Sequence, residues 1–278
     1  MDRRKVYDLL LNAFMCLAIG IVLVFILAFV GYILYRGVPH ITAEFIFSKP
    51  SLIQGKIGVL PNIINTAYII IMTIAVALPI GVGSAVYLNE YAKNKGLVRL
   101  IELATETLAG IPSIVYGLVG MLIFVQFFSF GTSLIAGAMT LVIMTLPTII
   151  RTTQESLKTV PDGLRQGSLA LGAGKWYMLR TVVLPSSIDG IVTGLVLSIG
   201  RIAGESAALL FTAGMANQII EPWNMAMPNT SGSTLTVSLY MYAKERGETD
   251  IAFAIAVILL VLTLVLNIAA KLSAKKLK

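Results

Sequence analysis

Apolar residues in this chain come in long blocks, with neither the alternation of a half-buried strand nor the narrow stripe of a soluble amphipathic helix. The blocks occupy about residues 13–35, 63–88, 101–128, 133–150, 188–212 and 251–269, and polar or basic segments separate them. A hydrocarbon layer about 30 Å thick takes about 20 apolar residues at the rise of an α-helix. No water is present in that layer to satisfy backbone groups, so each block predicts a helix that crosses it. The expected architecture is a single all-α polytopic domain over residues 1–278, with six transmembrane helices and a polar linker at 151–187 between the fourth and fifth.

The segments between the blocks carry their own signals. Asp2-Arg3-Arg4-Lys5 precedes a first block too long for the apolar core of a signal peptide, which predicts a retained span. Glu102 and Glu106 are expected in the first turns of the third helix, where the helix dipole favours negative charge. The Ser129-Phe130-Gly131-Thr132 stretch has room only for a tight hairpin, and Pro147 should weaken or kink the fourth helix close to Arg151. Within the long segment from Gly214 to Asp250, residues 234–245 predict a short interfacial helix with Tyr240 and Tyr242 near the headgroups.

Composition agrees with this class: 57% of residues are hydrophobic and only 13% charged, and the mean hydropathy is +0.87. The formal charge of +7 follows topology. Fifteen of the 21 Lys and Arg fall in segments that six crossings put on the side of the termini, five fall on the opposite side, and Arg201 is left inside a span. Because Lys and Arg resist translocation, this bias predicts cytoplasmic N- and C-termini. No basic stripe with interleaved aromatics suggests nucleic-acid binding. Cys16 has no disulfide partner, and His40 stands without the ligands that a metal site needs. In GSLALGAGKW, Gly167 and Gly172 have P-loop spacing but Ala173 stands where lysine is required, so no nucleotide site is expected. No nucleophile, base and acid set suggests an enzyme, and no bound cofactor is expected.

Two features remain that composition does not explain. Arg201 lies within the fifth block, where an arginine costs about 2.5–3.5 kcal/mol to insert and therefore needs a partner, a cavity or an anion. Glu205, four residues on, could pair with it along one helical face, or Arg201 could stand ready for an oxyanion with Glu205 tuning its position. Gly190 and Gly194, with Gly200 and Gly204, have the small-residue spacing that lets another helix approach, which suggests an interface with a partner subunit. The linker offers Asp162 as a helix N-cap and Leu164, Leu169 and Leu171 as apolar contacts for a docking surface, before Leu184-Pro185 stops the segment.

Gly172, nine residues and then Val182-Val183-Leu184-Pro185 is similar to the cytoplasmic loop of ATP-binding-cassette importer permeases. There the pattern reads EAA, three residues, Gly, nine residues, Ile-x-Leu-Pro. The EAA positions are Gln166-Gly167-Ser168 here and Val182 takes the isoleucine's place. A glycine at 167 lowers helix propensity by about 0.8–1 kcal/mol against alanine, so the segment should form a shorter helix or need its partner to form. Together with ETLAGIPSIVYGLVG from Glu106, the run from Leu146 and GRIAGESAALLFTAG from Gly200, the chain resembles the phosphate-specific permease family, PstA.

This resemblance implies a type I importer permease in a bacterial cytoplasmic membrane, with a coupling helix at 151–187 that docks on an ATPase. It implies a second, PstC-like permease subunit, two copies of a PstB-like subunit that binds ATP-Mg, and an external PstS-like phosphate-binding protein. It also links the arginine matching Arg151, otherwise a topology anchor at the end of the fourth span, to phosphate passage. Permeases for sulfate or molybdate, and an ion-driven secondary carrier, are the rival readings.

Overall fold

The computed structural model describes residues 3–50 and 56–275; Asp2 and the counted Lys276 and Lys278 lie outside them. Among the described residues there is no strand. The first crossing, α1 (Arg3–Gly37), is apolar on every side and leans only against the last helix. Its side chains, Phe14 and Phe25 among them, are largely exposed, as expected where lipid is the solvent. Next come α2 (Leu60–Val86), extended by a π-helical turn at Tyr87–Tyr91, and α3 (Lys95–Ala109). The helix α4 (Ser113–Gly120) runs on as a π-helical segment at Met121–Phe127, and α5 spans Leu134–Thr159.

After α5 the linker forms α6 (Asp162–Ala170) and α7 (Lys175–Ser186). Then follow α8 (Ile188–Ala203), the short α9 (Ala207–Thr212), α10 (Leu235–Tyr240) and α11 (Thr249–Lys275). Four helices are long and apolar enough to cross a membrane among the described residues, and six crossings result if each of two bent pairs counts as one. The core lies where α2, α5 and α8 pack together around Ile69, Leu141, Met144 and Ile202. A second cluster joins Phe45, Val59, Leu235 and Ile255 under α11.

Four expectations are corrected. The third block is two helices, α3 and α4 with its extension, bent by 100° at Gly110-Ile111-Pro112. Pro112 lacks the N–H that would continue the ladder and disfavours helical backbone at Ile111, so the chain turns there. Glu102 and Glu106 consequently lie in the middle and last turns of a helix capped by Asn94, whose Oδ1 accepts from the N–H groups of Gly96 and Leu97. Their partners are cations of α5 rather than a helix dipole: Lys158 for Glu102 at 3.5 Å, and Arg151 for Glu106 at 3.2 Å.

Pro147 lies inside α5, which continues to Thr159. The fifth block breaks after Ala203 and resumes at Ala207. The 234–245 segment is no interfacial helix: Leu235 and Val237 are fully buried and Tyr242 is buried under Arg246, while Tyr240 and residues 243–245 at its end reach the surface. Its N-terminus is fixed by Thr234, whose hydroxyl accepts from the N–H of Val237.

Candidate coupling and translocation site

The linker helix α6 begins at a proline, not at the expected aspartate cap. Pro161 is the cap residue and Asp162 is the first helical position, where its carboxylate pairs with Arg165 at 3.0 Å instead of accepting a backbone N–H. Proline before the first turn pre-sets the backbone, so the side-chain cap is dispensable. The far end is closed by a Schellman arrangement: Ala173 N–H reaches Ser168 O at 3.2 Å and Gly172 N–H reaches Leu169 O at 3.0 Å. Gly172 stands at φ +86°, a left-handed conformation that a side chain disfavours. The helix runs through Gly167 unbroken, and Leu164 and Leu169 are about half exposed. Gln166 is exposed and Ser168 half-buried on the same short helix.

Leu184-Pro185 does not stop the segment at once. The helix includes Ser186, and the 64° bend into α8 falls at Ser187. Ser156 Oγ donates to Ser187 O at 2.8 Å, which ties the bend to α5. Gly190 and Gly194 also face α5. A Cβ on Gly190 would stand 2.3 Å from the Cβ of Ser156, and one on Gly194 would stand 2.1 Å from Thr152 Oγ1. This pair therefore serves the close packing of α8 on α5 inside the chain. A Cβ on Gly200 would find nothing within 4 Å, and one on Gly204 would meet the carbonyls of Gly200 at 3.3 Å and Arg201 at 4.0 Å.

The expected Arg201–Glu205 ion pair is not formed. Gly204 ends α8, so the two residues do not share a helical face; Glu205 is buried and its Oε1 accepts from the N–H of Ala208 at 3.1 Å. Its backbone carbonyl accepts from Thr236 Oγ1 at 2.7 Å, which fastens the break to α10. Arg201 is half-buried and hydrogen-bonds to none of the described residues. It lies close enough to Tyr116 for its charge to act on that hydroxyl, which donates to Leu108 O across the bend between α3 and α4. Arg151 is distant in role: it is exposed and held by Glu106 and Glu155 at 3.2 and 3.1 Å, beside a polar cavity of about 460 Å³ lined by Arg99, Glu102, Gln154 and Lys158.

Sequence reading missed the joint under the linker. Arg165, on α6, is 15% exposed and donates to Leu157 O at 2.7 Å, Val160 O at 2.8 Å and Glu90 Oε1 at 3.1 Å. Glu90, 8% exposed, sits in the π-helical turn that ends α2, and Asn89 donates to the same oxygen at 2.7 Å. Lys175, on the other arm of the linker, donates to the backbone carbonyl of Glu90 and stands 4.8 Å from the ring of Tyr91. The separation of 75 positions between Glu90 and Arg165 leaves no local pattern to detect.

An all-helical bundle with two bent crossings and an exposed, rigidly capped linker helix defines a membrane-embedded multi-pass permease. Residues 77–278 match the description "binding-protein-dependent transport system inner membrane component", and the chain belongs to that family of ATP-binding-cassette permease subunits, in which the ATPase is a separate subunit. The probable ABC transporter permease protein YqgI of Bacillus subtilis is 37% identical over 80% of this chain and 76% of its own length. The phosphate transport system permease protein PstA 2 of Mycobacterium tuberculosis is 33% identical over 97% of this chain and 88% of its own. In fold, a chain of the bacterial alginate ABC transporter superposes with a TM-score of 0.68 at 15% identity, covering 96% of this chain and 94% of that one.

Proposed function

We propose that the chain is one of two membrane subunits of an ATP-driven phosphate importer and lines its translocation path with Arg201. The observation that carries this reading is a guanidinium inside an apolar crossing without a hydrogen-bonded partner among the described residues. Leu197, Arg201 and Gly204 follow one face of α8, and Leu197 and Gly204 on it are exposed. That uncovered face would look toward a second, PstC-like permease subunit, with the path between them. A planar fork of donors matches two oxygens of a tetrahedral oxyanion, which explains the arginine. The resemblance to proteins named PstA supports phosphate, and YqgI carries no substrate in its name, so another oxyanion is the second reading.

In this reading the linker end faces the cytoplasm with both termini. The exposed Leu164, Leu169 and Leu171 of the linker dock on one of two PstB-like ATPase subunits, whose ATP-driven closure moves α6. An external PstS-like protein delivers phosphate to the opposite end, and α5 and α8 shift to open the Arg201 region first outward and then inward. Arg151 serves as an anchor at the cytoplasmic end, where its Nε and Nη1 donate to Glu155 and Glu106.

The test is ATP-dependent uptake of labelled phosphate by vesicles holding the full complex, with sulfate and molybdate as competitors. Arg201→Gln should abolish uptake while the complex still assembles, and intact uptake would remove Arg201 from the path. Competition by sulfate would move the assignment to that anion, and uptake without the ATPase would favour an ion-driven carrier. A thiol placed at Ala173 should react with an impermeant reagent only from the ATPase side.

A further inference from the structure

The docking helix is held from behind by one guanidinium. Leu164, Leu169 and Leu171 of the linker are exposed, while Arg165 points the other way into three contacts on two other segments. Two of these contacts, the carbonyls of Leu157 and Val160, belong to the end of α5 and are direct neighbours along the chain. The third, Glu90, belongs to α2, which no linker residue follows in sequence. Lys175 grips the same turn from the other arm of the linker. Below the polar joint, Ala85 and Val86 of α2, Leu157 of α5 and Met178, Leu179 and Val183 of α7 form one buried cluster.

From this geometry we infer that Arg165 and Glu90 form a second transmission route, by which displacement of the docking helix moves the end of α2 together with α5. Arg165 is the positioning residue and Glu90 the receiver. The terminal nitrogens of Arg165 also hold the carbonyls of Val160 and Leu157, while its Nε is buried without a partner among the described residues; an ion pair so little exposed keeps its geometry under load, since separating the partners strands a charge. Tyr87–Tyr91 is π-helical, a wider winding with a looser ladder, and such turns can rewind where a regular helix would have to break. Movement at Glu90 is thereby converted into winding at the end of α2, whose body packs along α5 in the core. The inference requires the family assignment alone and is independent of which anion is carried.

The experiment uses the complete complex of this chain with its partner membrane subunit and ATPase in lipid vesicles. Cys16→Ser provides the background, and single thiols are placed in turn at Lys93, beyond Glu90, and at Thr159, the last residue of α5. Labelling by a water-soluble maleimide is compared with and without ATP plus vanadate, in complexes verified to trap nucleotide. Both thiols should change their labelling rate several-fold on trapping. Glu90→Gln should erase the change at Lys93→Cys and leave that at Thr159→Cys. Persistence of the change at Lys93→Cys in a nucleotide-trapping Glu90→Gln complex would reduce the joint to a static brace and overturn the inference, as would no change there in the parent. If Glu90→Gln does not assemble, Arg165→Lys, which keeps the charge and loses the fork, is read by the same two outcomes.

Discussion

The Glu205 carboxylate accepts a hydrogen bond from the backbone N–H of Ala208 at 3.1 Å, and this contact determines what Arg201 can do. A carboxylate spent on the first turn of α9 does not neutralise the arginine four positions before it. The break after Ala203 thus separates a structural acid from a cation that their spacing would otherwise pair.

Replacement at Glu205 distinguishes these roles. Glutamine keeps an oxygen acceptor for Ala208 and should preserve folding and uptake. Alanine removes it and should lower stability by about 0.5–2 kcal/mol, the usual effect of losing a helix-start acceptor. Thermal unfolding of the detergent-purified complex, with uptake measured alongside, reads both; equal damage by glutamine and alanine would restore the ion-pair account.

At Gly172 the cost of a side chain is purely conformational, because a Cβ there meets nothing within 4 Å and only the positive φ resists it. Gly172→Ala should therefore weaken the cap by about 1–2 kcal/mol, and Gly172→Asn by less, since asparagine visits the left-handed region more readily. Binding of the ATPase subunit should fall in the order glycine, asparagine, alanine.

Gly167→Ala should act in the opposite direction on the isolated permease. A Cβ at 167 also finds open space, and the helix already runs through this position. Helix propensity then favours alanine by about 0.8–1 kcal/mol. Hydrogen exchange across 162–170 should slow, and unchanged exchange would show that the linker helix is limited by something other than glycine.

The four glycines of α8 should separate into two groups. Gly194→Val drives a side chain into Thr152 of the same chain and should destabilise the permease by about 1–3 kcal/mol, the range for overpacking. Gly200→Val meets no atom of this chain, so the subunit should fold normally and fail, if at all, at assembly with its membrane partner. Comparing melting of the subunit with co-purification of the partner separates the groups.

Much of the fold was legible because a crossing is a local property: about 20 consecutive apolar residues define one whatever lies beside it. The linker was legible for a similar reason, since Gly172 and Pro185 act on the backbone within a turn of themselves. Prolines show where that locality ends. Pro79 and Pro147 sit inside intact helices, while Pro112 stands at a 100° bend, because neighbouring packing decides whether a helix survives a missing N–H. The apolar blocks thus sufficed for the place and apolar character of the crossings, and the residues of the linker for a helix between two of them. Only packing in three dimensions settled that Glu205 caps a helix, that Gly190 and Gly194 face α5, that residues 234–238 are buried and that Arg165 reaches Glu90. Each of these depends on which surfaces meet across long separations in the chain, where burial and hydrogen-bond satisfaction outweigh local spacing.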